Sequence, residues 1–135
     1  MGTMLQKSGV ELGRYPETLA ITNPQAIYQI QKQYVDAGCD VLLADTFGCN
    51  PYKLEGSGYE VEQVAAAAIA IAKRAAEGRA IVALDTSIIG ELLEPAGTLK
   101  FEQAVEIYAR LMRAGAAGGV DMICIETMTD LGETK

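Results

Sequence analysis

The sequence predicts an α/β protein of parallel βα units, roughly the first half of a (β/α)8 barrel. Three short apolar runs, DVLLAD (40–45), AIVALD (80–85) and DMICIE (121–126), are nearly continuous rather than alternating. Strands covered on both faces in a parallel sheet have this pattern. Helical patterns separate the runs, so the order is strand–helix–strand–helix–strand. No GxGxxG turn follows the first run, which disfavours an open dinucleotide-binding sheet. A complete barrel needs about 250 residues, so the 135 present suit about half of one.

Each helix has its own signals. Asn23-Pro24 reads as an N-cap followed by proline at the first helical position. Ile27, Ile30 and Tyr34 then share a face, and Gly38 is placed to stop the helix. The second helix is expected over about 60–77, with Val61, Val64, Ala68 and Ile71 on one side and Gly78 as its stop. Its AAAAIAIA centre combines high helix propensity with side chains small enough for close approach to a sheet. The third is expected over about 101–114, with Ala104, Tyr108 and Leu111 inward and the Gly-rich AGAAGG as a turn. Thr98 is a better N-cap for it than Lys100. A fourth begins near Thr129.

Composition narrows the function. Half the residues are hydrophobic, enough for a real core, while only 6% are aromatic and Trp is absent. The net charge of −7 and the lack of any basic cluster longer than Lys73-Arg74 exclude a nucleic-acid surface. The first residues do not form a signal peptide. The longest uncharged apolar stretch, about 64–72, is far short of the ~20 residues of a membrane span. A cytoplasmic location is the expectation. With no histidine, the chain forms no His-based metal site and no Ser–His or Cys–His pair. The cysteines, Cys39, Cys49 and Cys124, show no CxxC pairing. Cys124 reads as a small buried hydrophobe and Cys39 as structural, while Cys49 lies in a loop on the functional side.

Each apolar run ends in a carboxylate: Asp45, Asp85 and Glu126. The C-terminal strand ends form the functional face of parallel α/β folds. Side chains alternate along a strand, so Val41 and Leu43 go with Asp45, Ile81 and Ala83 with Asp85, and Met122 and Cys124 with Glu126. Three acids then converge on one mouth. Like charges there raise one another's pKa and call for a cation, either an ammonium group or a divalent metal held through oxygen. Taken singly, each acid also suits the N-terminus of the helix that follows it.

Several stretches together resemble the homocysteine S-methyltransferase family: MGTMLQ (1–6), PETLAITNPQAI (16–27), ADTFGCNPYKL (44–54), GELLEPAGTLKFEQA (90–104) and IETMTDLGE (125–133). Within it, the likeness is greatest to the N-terminal homocysteine-binding domain of cobalamin-dependent methionine synthases, of which the chain would be the N-terminal half. The resemblance implies a (β/α)8 barrel binding homocysteine at its C-terminal face, where zinc holds the substrate thiolate for methylation to methionine. It implies that Glu126 binds the substrate ammonium, that Thr46 and Phe47 line the pocket, and that Asp85 matches the acid of a DIGPTG stretch. Asp45 stands where Asn is common, Gln31 where a helix His is common, and Ser87-Ile88-Ile89-Gly90 replaces the GPTG turn. None of the three cysteines matches the family's zinc ligands, which are expected beyond Lys135, and an amine-binding Asp is expected before Met1. Zinc is thus expected for the intact domain without ligands here, and cobalamin through another domain or partner. The expected partners are homocysteine and a methyl donor, with no nucleic acid and no membrane. The fragment alone is expected to be inactive. Two alternatives stay open: an inactive half-barrel that self-associates through its open edges, and an unrelated barrel enzyme binding a divalent metal through its strand-end acids.

Overall fold

The computed structural model describes residues 1–135. At its centre lie three parallel strands, β1 (Val41–Leu43), β2 (Ile81–Thr86) and β3 (Met122–Ile125), in the order β1-β2-β3. Val41 pairs with Ile81 and Leu43 with Ala83, while Ala83 pairs with Met122 and Asp85 with Cys124. Strand order follows the chain without reversal, as in a sheet that curls towards a barrel. A doubly wound sheet would reverse at a switch point.

Three long helices form one layer against this sheet: α3 (Pro24–Asp36), α4 (Val61–Ala76) and α5 (Phe101–Gly118), with α4 between the other two. The main core lies where Val64, Ala65, Ile69 and Ala72 of α4 meet Leu42, Val82 and Leu84 of the strands. Alanine-rich packing lets α4 approach closely, as its composition predicts. Its start is fixed by Gln63, whose Oε1 accepts from the Glu60 N–H at 3.0 Å. Its end comes one residue before the expected Gly78, because Glu77 itself turns left-handed at φ 52°.

Four expectations need correction. The strands are not covered on both faces: Val41, Ile81 and Met122 are 41%, 47% and 43% exposed, because three strands do not close on themselves. Helix α5 runs through the AGAAGG stretch instead of ending there. The glycines serve close packing: a Cβ on Gly115 would lie 2.8 Å from Leu84 Cδ2, and one on Gly118 would lie 2.9 Å from Ile69 Cγ2. Only Gly119, at φ 69°, ends the helix. Lys100 rather than Thr98 is the N-cap, because its N–H is bonded to Gln103 Oε1 at 3.1 Å and that reach fixes the start of the helix. Asn23 occupies its expected N-cap position, but its side chain makes no capping bond.

The first 22 residues also fold. Helix α1 (Gly2–Lys7), a 3-10 turn at Pro16–Thr18 and helix α2 (Leu19–Thr22) pack on α3 and α4. Leu5, Ala20, Ile27, Ile30, Ala68 and Ile71 make a second core there. Elements this short lack a measurable period, so sequence pattern alone does not reveal them. Helix α6 (Leu131–Thr134) follows β3, capped by Asp130 Oδ1 accepting from the Glu133 N–H at 3.0 Å. No helix is long and apolar enough to cross a membrane.

Candidate functional site: an acidic cleft at the strand ends

The C-terminal ends of the strands open into a cleft of about 560 Å³. Val41 and Leu43 form part of its apolar wall, and Asp45, Asp85 and Glu126 supply its acids. All three carboxylates line this one cavity, but the strand alternation is only partly followed: Leu42 and Ala44 join Val41 and Leu43 in the wall, while Ile81, Ala83, Met122 and Cys124 do not line it. Phe47 is part of the wall, 37% exposed, with Lys53 Nζ 5.3 Å from its ring centroid.

Thr46 has a different place. Its side chain is fully buried; its hydroxyl donates to the Asp85 carbonyl at 2.7 Å and accepts from the Asp85 N–H at 3.0 Å. Both of its hydrogen-bonding directions are therefore spent joining the ends of β1 and β2. Thr46 supports Asp85 from behind and does not line the cleft, contrary to the pocket-lining place the resemblance implies.

Two further residues at the cleft were given no site role by the sequence, although Gln31 was noted there as a departure from the family pattern. Glu17, from the 3-10 turn, reaches in across Gly48, where any side chain would collide with its carboxylate. Gln31 of α3 is fully buried; its Nε2 donates to the Leu43 carbonyl at 3.0 Å, and its Oε1 has no partner. A buried glutamine on the apolar face of an amphipathic helix was the available signal for the second. For Glu17 there was none beyond its place in PETLAITNPQAI, because a three-residue turn has no periodicity.

The acids are electrostatically frustrated. Asp85 is 5% exposed and its Oδ1 has no hydrogen-bond partner. Burial first, then the facing Glu126 carboxylate and Asp45, push its carboxyl up to about 7. Asp45 also rises to about 7, mainly through burial and then through Glu17, and its Oδ2 is likewise unpartnered. No lysine or arginine forms a salt bridge with any of the four acids. Near neutral pH the cleft thus holds carboxyl groups on the verge of ionising, with bare acceptor atoms. A cationic donor entering it would ionise them and complete their hydrogen bonds.

The cysteines contribute no nucleophile. Cys49 is fully buried, its thiol donates to the Val61 carbonyl at 3.4 Å, and burial followed by Glu17 pushes it up to about 12. Cys124 is half-buried, not fully buried as expected, and faces the acids, so burial, Asp85 and Glu126 raise its thiol. No three carboxylate or cysteine side chains converge closely enough to hold a metal ion. The donor set fits neither zinc nor the divalent metal of the alternative reading.

The whole chain, residues 1–135, matches the family described as homocysteine S-methyltransferase. The chain belongs to that family. It is 28% identical over 150 residues to methionine synthase of Mycobacterium tuberculosis (strain ATCC 25618 / H37Rv), and 25% identical over 148 to that of Mycobacterium leprae (strain TN). Each alignment covers 100% of this chain and 12% of the relative. Among solved structures, the metallated form of the homocysteine methyltransferase MmuM from Escherichia coli superposes with a TM-score of 0.83 at 18% identity. That match covers 98% of this chain and 53% of MmuM. The apo form of MmuM superposes with a TM-score of 0.70 at 17% identity. At such identity the superpositions show a shared fold, of which this homocysteine S-methyltransferase family chain spans about half.

Proposed function

We propose that this chain supplies the amine-binding part of a homocysteine site, within a protein that methylates homocysteine to methionine. The observation that carries the reading is the set of unpartnered acids in the cleft. Asp85 and Asp45 each keep a buried oxygen without a donor, and Glu126 faces Asp85. A primary ammonium brings a positive charge and three N–H donors to such a place. Glu126 and Asp85 take the ammonium, Asp45 adds charge, and Phe47 packs on the aliphatic part of the ligand. Thr46 positions Asp85. Family membership favours homocysteine over other amines.

Methyl transfer needs the substrate sulfur activated, and zinc, as in the family resemblance, would supply that by stabilising a thiolate. No residue set here fits the metal. The part proposed for this chain is to bind and orient the substrate amine, and on that reading the chain alone should not transfer the methyl group. Cobalamin enters, if it is the methyl carrier, through another domain or partner.

Two assays test this. Millimolar homocysteine should raise the thermal midpoint of the chain, and Glu126→Gln should remove the rise; no rise in the wild-type chain overturns the reading. Incubation of the chain alone with homocysteine and methylcobalamin should yield no methionine, and methionine formation would contradict the division of labour.

A second reading is favoured by the uncovered sheet. Val41, Ile81, Met122, Ile123 and Ile125 are exposed on a sheet with open edges, a surface suited to self-association. Sedimentation showing a dimer at micromolar concentration supports it, and a monomer at all concentrations removes it.

A further inference from the structure

The segment after β2 and the segment after β3 are tied together by one carboxylate. Glu133 Oε1 accepts from the Ile89 N–H at 2.6 Å and from the Tyr108 hydroxyl at 2.7 Å. The same hydroxyl lies 3.0 Å from the Ser87 carbonyl, so its single proton is shared between them. Three elements meet at this point: the loop leaving β2, helix α5 and helix α6.

Ile89 is held from other sides as well. Its carbonyl accepts from Asn50 Nδ2 at 3.2 Å, and Asn50 Oδ1 accepts from the Lys53 N–H at 3.0 Å. Its side chain is fully buried with Leu93, Leu99 and Ala104. The polar links therefore run from the loop after β1, through Ile89, to the helix after β3, crossing all three strand exits. Gly132 permits the closure: a Cβ there would lie 3.0 Å from Asp130 Oδ1 and 3.5 Å from Leu93 Cδ1. Asp130 in turn caps the turn that carries Glu133.

This belt spans the two strand exits that carry the facing acids. Asp85 lies two residues before Ser87, and Glu126 lies four before Asp130. We propose that Glu133 is a positioning residue, whose carboxylate fixes the loop after β2 against the exit of β3 and so keeps Asp85 opposed to Glu126. The family's glycine- and proline-shaped turn is replaced here by Ser87-Ile88-Ile89-Gly90, and the Glu133 bond holds this different loop by its backbone. The functional consequence for homocysteine rests on the function proposed above; the positioning of Asp85 does not.

The test separates the two. In the 135-residue chain, the amide exchange of Ile89 and the carboxyl titration of Asp85 are followed by NMR in the wild type, Glu133→Gln, Glu133→Ala and Tyr108→Phe. Neither readout needs a ligand. Glu133→Ala should speed Ile89 exchange at least tenfold and lower the Asp85 midpoint from about 7 by one unit or more. Glu133→Gln keeps an acceptor oxygen and should restore both values, which a loss of overall stability would not explain. Tyr108→Phe removes only the hydroxyl contacts, leaves the Ile89 N–H bond to Glu133, and should give an intermediate result, which keeps the proposal decidable if Glu133→Ala does not fold. An Asp85 midpoint unchanged in Glu133→Ala while Ile89 exchange accelerates overturns the inference, as does unchanged Ile89 exchange. Homocysteine titration then reads the consequence: a wild type that binds and a Glu133→Ala that binds at least tenfold more weakly extend positioning to the ligand. A wild type that fails to bind counts against the proposed function and leaves the NMR result standing.

Discussion

The helical layer and the cleft treat charge in opposite ways. On the outer surface, Arg110 meets Glu60 and Glu62 at 3.1 and 2.8 Å, and Arg79 and Lys32 gather around Asp36 and Glu77. Those acids have basic partners; the Asp36 and Glu62 carboxyls are held below their ordinary range, mainly by hydrogen bonds from Lys32 and Arg110. In the cleft, Asp45, Asp85, Glu126 and Glu17 gather without one base paired to them, and Asp45 and Asp85 rise to about 7. The chain has 11 bases for 18 acids, and none of those bases forms an ion pair with the acids of the mouth, although Lys53 lies over Phe47 at its wall. Pairing outside serves the fold at little gain per pair, whereas leaving the acids bare inside costs stability that a bound cation returns.

The contrast can be broken from either side. The largest effect expected is on binding: Glu126→Gln should weaken homocysteine at least tenfold, ~1.4 kcal/mol, by calorimetry, with thermal stability nearly unchanged because the side chain is exposed. Next is the helical layer, where Gly115→Leu would drive a side chain into Leu84. It should destabilise the chain by about 1–3 kcal/mol in urea unfolding.

Asp45→Asn tests the frustration itself. An acid whose folded pKa lies above its unfolded value weakens the fold as pH rises between the two values, here from about 4 to about 7. The variant should therefore match the wild type near pH 4 and exceed it at pH 8 by ~1–2 kcal/mol, as read by denaturation at both pH values. The smallest effect belongs to Arg110→Ala. It cuts the exposed pairs to Glu60 and Glu62 and should cost below about 1 kcal/mol, diminishing in salt; a larger, salt-insensitive loss would show that the outer network matters more than its exposure suggests.

What could be read from the residues differs between the same two regions. Helices α3 and α4 and the three strands were legible because their apolar periods are long or continuous. That Asp45, Asp85 and Glu126 line one cleft was legible because each follows or ends an apolar run, and the C-terminal ends of parallel strands gather on one face. The extension of α5 was not, since Gly115 and Gly118 look like turn residues until Leu84 and Ile69 are seen against them. Thr46 was misplaced for a related reason: a polar residue at a strand end faces ligand or neighbouring strand equally well by sequence. Glu17 and Glu133 sit on a three-residue turn and a four-residue helix, and their roles depend on contacts 44 residues away in the case of Glu133 and Ile89.

The bare acids of the cleft are probed most directly by calorimetric titration of the chain with homocysteine and with 4-mercaptobutanoate, which lacks the amino group, at pH 6, 7 and 8. Acids that await an ammonium predict that homocysteine binds more tightly as pH rises through about 7, because Asp45 and Asp85 ionise there. The des-amino compound should bind at least tenfold more weakly at pH 8 and gain nothing from the rise. Equal binding of the two, or homocysteine affinity that falls between pH 6 and 8, would contradict an ammonium-binding cleft.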